Sequence, residues 1–243
     1  MEAGLRSNDR TMPEEINRLV TDQLADLLLT PSRDGDANLL REGVAPEKIR
    51  FVGNVMIDTL VRLRPLAGPA AARLKGLPDL GRYALVTLHR PNNVDDPAAL
   101  AELCTSLRRL GERLPVIFPV HPRTRQRLEA AGLDPSRDGV TLLEPLGYLE
   151  FVGLMERARV AVTDSGGVQE ETTILGVPCL TVRPNTERPV TITEGTNRLV
   201  DSHPDALLAA VDEVLAAPRP TGRVPEGWDG HAAERIAEII ARM

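Results

Sequence analysis

Residues 158–176 read ARVAVTDSGGVQEETTILG. Val160 to Thr163 form a short apolar, β-branched run, the residues after it are polar and glycine-rich, and the remainder has helical spacing as far as Gly176. A strand that passes through a tight turn straight into a helix is the unit from which covered parallel sheets are built. Asp164 and Ser165 then fall at the strand's carboxyl end, and Gly166 and Gly167 open the helix. Ligands of such sheets collect beyond the carboxyl ends of the strands. The free N–H groups and the dipole of a helix start favour an anion there, and glycine lets backbone approach it closely.

The same letters, Asp-Ser-Gly-Gly, surround the nucleophilic serine of chymotrypsin-like proteases. The chymotrypsin-like protease has an all-β frame and a His–Asp pair placed for the serine, and the α/β context does not match that architecture. A phosphate-binding turn and an ordinary helix cap are the two readings left. Glu170 and Glu171 fall in about the first turn of the helix. Exposed acids there complement the helix dipole, whereas an acid one turn from a phosphate site can accept both ribose hydroxyls. The residues alone leave both open.

Outward from this unit, the pattern repeats. YALVTL, PVIFPV, VTLLEP, CLTVR and NRLV are further strand candidates. Between the strands lie the helical stretches DPAALAELCTSLRRLGERL, RTRQRLEAAG, YLEFVGLMERA and PDALLAAVDEVLAA. Buried-looking strands alternating with helices predict an α/β fold with a doubly wound parallel sheet. Upstream, MPEEINRLVTDQLADLL reads as a helix with Pro13 in its first turn, LLLT and IRFVGN as strands, and SRDGDANLLREG and VMIDTLVRL as helices. RPLAGPAAARLKGLPDLGR, rich in Pro, Gly and Ala, reads as a linker.

Bulk properties narrow the function classes. The net charge of -6 argues against a general nucleic-acid binder, which would present a basic face. Cys104 and Cys179 sit in apolar stretches without metal or disulfide spacing, as suits a reducing cytoplasm. No apolar run reaches the roughly 20 residues of a membrane span, and MEAGLRSNDR is too polar for a signal peptide. Neither nucleic acid nor membrane is an expected partner.

Polar residues gather where a site belongs. His89 and Arg90 follow one strand, and His121, with Arg123 and Arg125, follows the next. Histidine supplies acid–base chemistry and arginine a phosphate fork. RPNTERPVTITEGTN carries Arg183, Glu187 and Arg188, expected to be exposed at the same mouth. Glu2, Arg6, Asp9, Glu14 and Glu15 form a dense charged stretch whose paired carboxylates could serve as acid and base, though spacing favours an exposed helix start, and His203 and His231 read as exposed residues without a role.

Taken together, EAGLRS, PEEINR, VTLHRPNNVDD, FPVHPRT, TDSGGVQEE, LGVPCLTVRPNTERP and EGTNRLV, in this order, resemble the non-hydrolysing UDP-N-acetylglucosamine 2-epimerases. The resemblance implies a GT-B architecture, two Rossmann-like domains with a cleft between them. It implies inversion at C2 of UDP-N-acetylglucosamine (UDP-GlcNAc) to give UDP-N-acetylmannosamine (UDP-ManNAc), by anti elimination of UDP to 2-acetamidoglucal and re-addition. No redox cofactor or metal is implied; a homodimer is.

Carried onto this chain, Ser165, Gly166 and Gly167 match the family's diphosphate turn and Glu171 its ribose carboxylate. His89 matches the active-site histidine, and Glu2 and Glu14 the acids around C2 and the leaving group. Phe151 matches a position beside the uracil, Arg183 and the Thr186–Arg188 segment a loop closing over the nucleotide, and His121 a regulatory UDP-GlcNAc contact of some bacterial members. The implied division is 1–62 as the end of an amino-terminal Rossmann-like domain, 63–218 as the nucleotide domain, and 219–243 as a linker and returning helix. The family's Gly-rich first loop is not in this sequence, so the chain reads as amino-terminally truncated and, alone, as nearly inactive. A GT-B glycosyltransferase and a non-catalytic UDP-binding remnant are the alternatives.

Overall fold

The computed structural model describes residues 1–77, 82–220 and 223–243. Its first unit is small. Helix α1 (Pro13–Leu24), strand β1 (Leu28–Thr30), helix α2 (Arg33–Arg41) and strand β2 (Ile49–Phe51) enclose a minor core of Ala3, Leu28 and Leu39. β1 and β2 pair in parallel, Leu28 beside Ile49 and Thr30 beside Phe51.

Helix α3 (Val55–Ala71) leads to the larger unit. Asn54 caps it, its side chain accepting the Met56 N–H at 2.9 Å. The linker expected from residue 64 is corrected in part: α3 runs on through Pro65 and Pro69 to Ala71. The expected boundary at 62/63 therefore falls inside a helix, and residues 78–81 of that linker lie outside the described residues. Each interior proline removes a helical hydrogen bond, a cost of ~3 kcal/mol in isolation. Tertiary packing overrides it. Ile57, Leu60, Ala67 and Ala71 are buried, and Gly153 of the neighbouring helix lies against the Ala67 carbonyl, where any side chain would collide.

The larger unit alternates as expected: β3 (Ala84–Thr87), α4 (Pro91–Val94), α5 (Pro97–Gly111), β4 (Val116–Pro119), α6 (Pro122–Ala130), β5 (Val140–Leu143), α7 (Tyr148–Arg157), β6 (Val160–Thr163), α8 (Gly166–Leu175), β7 (Cys179–Val182), α9 (Val190–Thr193), β8 (Asn197–Val200) and α10 (Pro204–Ala216). All pairings are parallel, in the order β5-β4-β3-β6-β7-β8. The strand order reverses between β3 and β6, which makes their carboxyl ends the switch point where ligands of doubly wound sheets bind.

The sheet is covered on both faces, as strand alternation requires. Val86, Phe118, Val160 and Val162 point to a core shared with Leu103 and Leu107 of α5 and Leu207 and Val211 of α10. Leu85, Ile117 and Ala161, one residue out of phase, point to a second core with α3, α7 and α8.

After α10 the chain returns to the first unit. The Trp228 indole donates to the Pro31 carbonyl at 2.9 Å. Helix α11 (Ala232–Ile240) is tied to α3 by Ala232 N–H to Asp58 at 3.0 Å and to the turn after β2 by Arg235 to the Val52 carbonyl at 3.0 Å. The outgoing and returning segments touch backbone to backbone at Gly53 and Gly227, both at positive φ, 86° and 73°. A Cβ on Gly53 would overlap the Gly227 carbonyl, so only glycine fits. Among the described residues no helix is long and apolar enough to cross a membrane.

Candidate functional site

The switch point places β6 beside β3 with Thr87 opposite Thr163, so the residues following each strand meet. Asp164, wholly buried, accepts the backbone N–H groups of His89 (3.0 Å) and Arg90 (2.8 Å) and the Asn93 amide (3.0 Å). The His89 Nδ1 lies 3.0 Å from Asp164 Oδ1. Burial opposes ionisation of Asp164, but the His89 contact, the Arg90 N–H and the Asn93 amide outweigh it and hold the carboxyl below its usual range.

At the start of α8, Ser165 occupies the cap position and its side chain makes no capping hydrogen bond. The two glycines differ. A Cβ on Gly166 would fall onto the Arg188 guanidinium, whereas one on Gly167 would meet nothing. Gly167 thus faces open space, a cavity of about 360 Å³ lined also by Ser165, Glu171, Phe151, His89 and His121. The helix-start amides, the two histidines, an aromatic edge and a carboxylate share one concavity.

The surface-dipole reading of Glu170 and Glu171 is corrected. Both are buried, at 1% and 5% exposure, and both lie past the first turn, because the helix begins at Gly166. Glu170 pairs with Arg188 Nε at 2.7 Å. Glu171 lines the cavity and its Oε1 accepts the Tyr148 hydroxyl at 2.8 Å. Burial pushes the Glu171 carboxyl up to about 7, against the Tyr148 hydrogen bond and with help from the Glu170 charge.

The expectation that Arg183, Glu187 and Arg188 stand exposed is also corrected. Arg183 and Glu187 are buried, and the Arg188 side chain is 11% exposed. They converge because buried charges need partners. Glu187 meets Arg188 at 2.5 Å and Arg183 at 2.8 Å, with Arg90 at 3.6 Å and Arg18 of α1 at 3.7 Å. Burial resists its charge, but Arg188 and Arg183 prevail and draw its carboxyl down to about 2.

The acids near the amino end separate. Glu14 is exposed and lines a second cavity, of about 540 Å³, with Asp9, His89, Arg90, His121, Arg123 and Arg183 among its walls. Glu2, at φ 60°, lines neither cavity; it sits 3.6 Å from Arg188 and borders a groove that shares Met56 with the Gly167 cavity. Their neighbours are not the exposed helix start expected. Arg6 is buried against Asp22 at 2.8 Å, and buried Glu15 accepts the Ser7 and Asn8 N–H groups at 3.0 and 2.9 Å. His121 caps α6, accepting the Arg123 N–H, and its ring centre lies 5.6 Å from that of His89. His203 caps α10, and His231 pairs with Glu234.

Two members of the site had no assigned role in the sequence. Asp164 was visible as an acid at a strand end, but its meeting with His89 depends on β3 and β6 being neighbours. Tyr148, the partner of Glu171, stands one helical turn before Phe151, and that spacing was the available signal.

Comparison with known proteins supplies a family for this geometry. The family model described as UDP-N-acetylglucosamine 2-epimerase matches residues 1–241. A UDP-N-acetylglucosamine 2-epimerase of Methanococcus maripaludis is 40% identical over 248 residues, covering 99% of this chain and 67% of its own. A UDP-2,3-diacetamido-2,3-dideoxy-D-glucuronate 2-epimerase of Pseudomonas aeruginosa is 38% identical, covering 100% and 67%. The crystal structure of the Methanocaldococcus jannaschii UDP-GlcNAc 2-epimerase in complex with UDP-GlcNAc and UDP superposes with a TM-score of 0.92 at 41% identity, covering 100% of this chain and 68% of that one. The chain spans about two thirds of the length of these relatives.

Proposed function

The chain belongs to the UDP-N-acetylglucosamine 2-epimerase family and has its GT-B-like fold, and on that footing we propose that it is an isomerase of UDP-GlcNAc, interconverting it with UDP-ManNAc. One observation carries this reading: Ser165, Gly167, Glu171, Phe151 and His89 line a single cavity at the switch point. Each offers what one part of a uridine nucleotide requires.

The diphosphate takes the N–H groups opening α8, with the Ser165 hydroxyl, left free by the cap, as a further donor. Gly167 leaves the room for it. The pyrimidine lies against Phe151 and the ribose hydroxyls reach the inward carboxylate of Glu171. Arg183 holds the returning loop through Glu187 and lines the cavity with His89 and Arg90, where it is assigned to the nucleotide.

Elimination breaks the C1–O bond with departure of UDP and removes the C2 proton, giving 2-acetamidoglucal. Re-addition returns UDP to C1 and a proton to the opposite face of C2, so atoms balance and no redox partner enters. Charge builds on the diphosphate as it leaves, where preorganised amides and His89 stabilise it. Glu14, across the cavity wall it shares with His89, and Glu2 are the acids assigned to the sugar side. His121, beside His89, is assigned to a second nucleotide-sugar. A cytoplasmic location, a homodimer and a place in polysaccharide biosynthesis complete the reading.

The test uses UDP-GlcNAc alone in deuterated buffer. Proton NMR should show exchange at C2 and the appearance of UDP-ManNAc, with UDP conserved between nucleotide-sugar and free forms. A glycosyltransferase would leave the C2 proton unexchanged throughout and would consume UDP-GlcNAc only once an acceptor is added. Absence of C2 exchange together with UDP binding that Glu171→Ala abolishes would leave only a nucleotide-binding role.

A further inference from the structure

The contact between His89 and Asp164 decides which nitrogen of the imidazole works. Asp164 receives donors from three residues, and the geometry of those donors is not interchangeable. Its Oδ2 accepts the backbone N–H groups of His89 and Arg90 and the Asn93 amide at 3.0, 2.8 and 3.0 Å, and the His89 N–H also reaches Oδ1 at 3.2 Å. Its Oδ1 faces His89 Nδ1 at 3.0 Å. An ionised carboxylate can only accept, so Nδ1 must carry a proton in either charge state of the ring. The remaining nitrogen, Nε2, is the one left to the cavities that His89 lines.

We infer that Asp164 is a positioning residue: it locks His89 as the Nδ1–H tautomer, so that Nε2 alone gives and takes the proton in the cavity. The group that charges and discharges there is the imidazole of His89, while Asp164 stays ionised throughout and touches no substrate. A buried carboxylate that fixes a histidine's tautomer and orientation is the device by which Nε2 is made a usable base in other acid–base sites. The pairing also explains why a fully buried acid is tolerated at a strand end. Oδ2 anchors the chain leaving β3, and Oδ1 holds the ring that this chain carries. The kinetic consequence rests on the epimerase reading; the tautomer does not.

The substitution Asp164→Asn tests it with little change of shape. Backbone N–H groups cannot become acceptors, so the amide oxygen must take the Oδ2 place and the NH₂ group must face Nδ1. His89 then has to accept at Nδ1 and moves its proton to Nε2. Long-range proton–nitrogen correlation spectra of the whole chain, recorded on the neutral ring, report the tautomer directly. Expected are an Nδ1–H ring in the wild type and an Nε2–H ring in Asp164→Asn, with Asn93→Ala retaining the wild-type form. C2 exchange in UDP-GlcNAc should fall roughly 10²-fold or more in Asp164→Asn while calorimetric UDP affinity is kept. An Nε2–H ring in the wild type, an unaltered ring in Asp164→Asn, or wild-type exchange by that variant would each overturn the assignment. Absent wild-type exchange alongside the expected tautomers would instead count against the epimerase reading and leave the lock standing. The wild-type spectrum decides the first point even where the variant does not fold.

Discussion

The Tyr148 hydroxyl donates to Glu171 Oε1 at 2.8 Å, so the first residue of α7 holds a carboxylate from the second turn of α8. The carboxyl is buried and pushed up to about 7, whereas the unfolded chain releases that proton near 4.5. Between these values the folded state binds more protons than the unfolded one. Stability therefore declines as pH rises from about 4.5 to about 7 and is level above. Glu171→Gln should flatten that slope, read from urea midpoints at several pH values across the window. An unchanged slope would mean that Glu171 does not titrate there.

The same group sets nucleotide binding under the proposed function. An ionised Glu171 accepts ribose hydroxyls better than a neutral one, so UDP affinity should rise as pH increases through about 7. The Tyr148 hydrogen bond favours the ionised form, so Tyr148→Phe should shift that profile to higher pH. Calorimetric titrations with UDP should find the variant weaker near neutrality and approaching wild type in alkali. Parallel profiles of unequal height would exclude the coupling.

Glu187 gathers Arg183 and Arg188 in buried ion pairs, with Arg90 and Arg18 within 4.0 Å. Glu187→Gln should destabilise the fold by roughly 3–5 kcal/mol, because the Arg183 guanidinium stays buried without its counter-charge while Arg188 keeps only Glu170 and Glu2. With its carboxyl held down to about 2 against 4.5 when unfolded, its contribution is complete above about 4.5 and is lost as pH falls towards about 2. The wild type should thus lose stability in acid through this window, and the variant should lose less. Acid titration of both by circular dichroism checks it.

Gly166 and Gly167 should respond oppositely to an added methyl group. Gly166→Ala drives Cβ onto the Arg188 guanidinium and should cost about 1–3 kcal/mol of stability. Gly167→Ala meets open space and should leave stability within ~1 kcal/mol, with alanine the better helix former. Its methyl enters the diphosphate place, however, and should weaken UDP binding by roughly tenfold, about 1.4 kcal/mol. Equal affinity in the Gly167 variant would remove the diphosphate from that turn.

The sheet and its helices were legible because their signals are local. Alternating Val86, Phe118 and Val162 and the caps of each helix are written in neighbouring residues. The burial of Glu170, Glu187 and Arg183 was not, since a charged residue reads as exposed until partners distant in the chain, such as Arg188 for Glu170 and Arg18 and Arg90 for Glu187, are brought to it. The persistence of α3 through two prolines was hidden for a similar reason. Propensity opposes the helix, and what sustains it is Gly153, far along the chain. His89 was found from its strand end, but its orientation needed the strand order.

At Gly53 and Gly227 the outgoing and returning segments lie against each other with no side chain between them. The small unit is thus joined to the large one by two covalent strands at one spot, like the leaf of a door on a single pin. A side chain at Gly53 would wedge the crossing open and carry α1, with Glu14 and Arg18, away from His89 and Glu187.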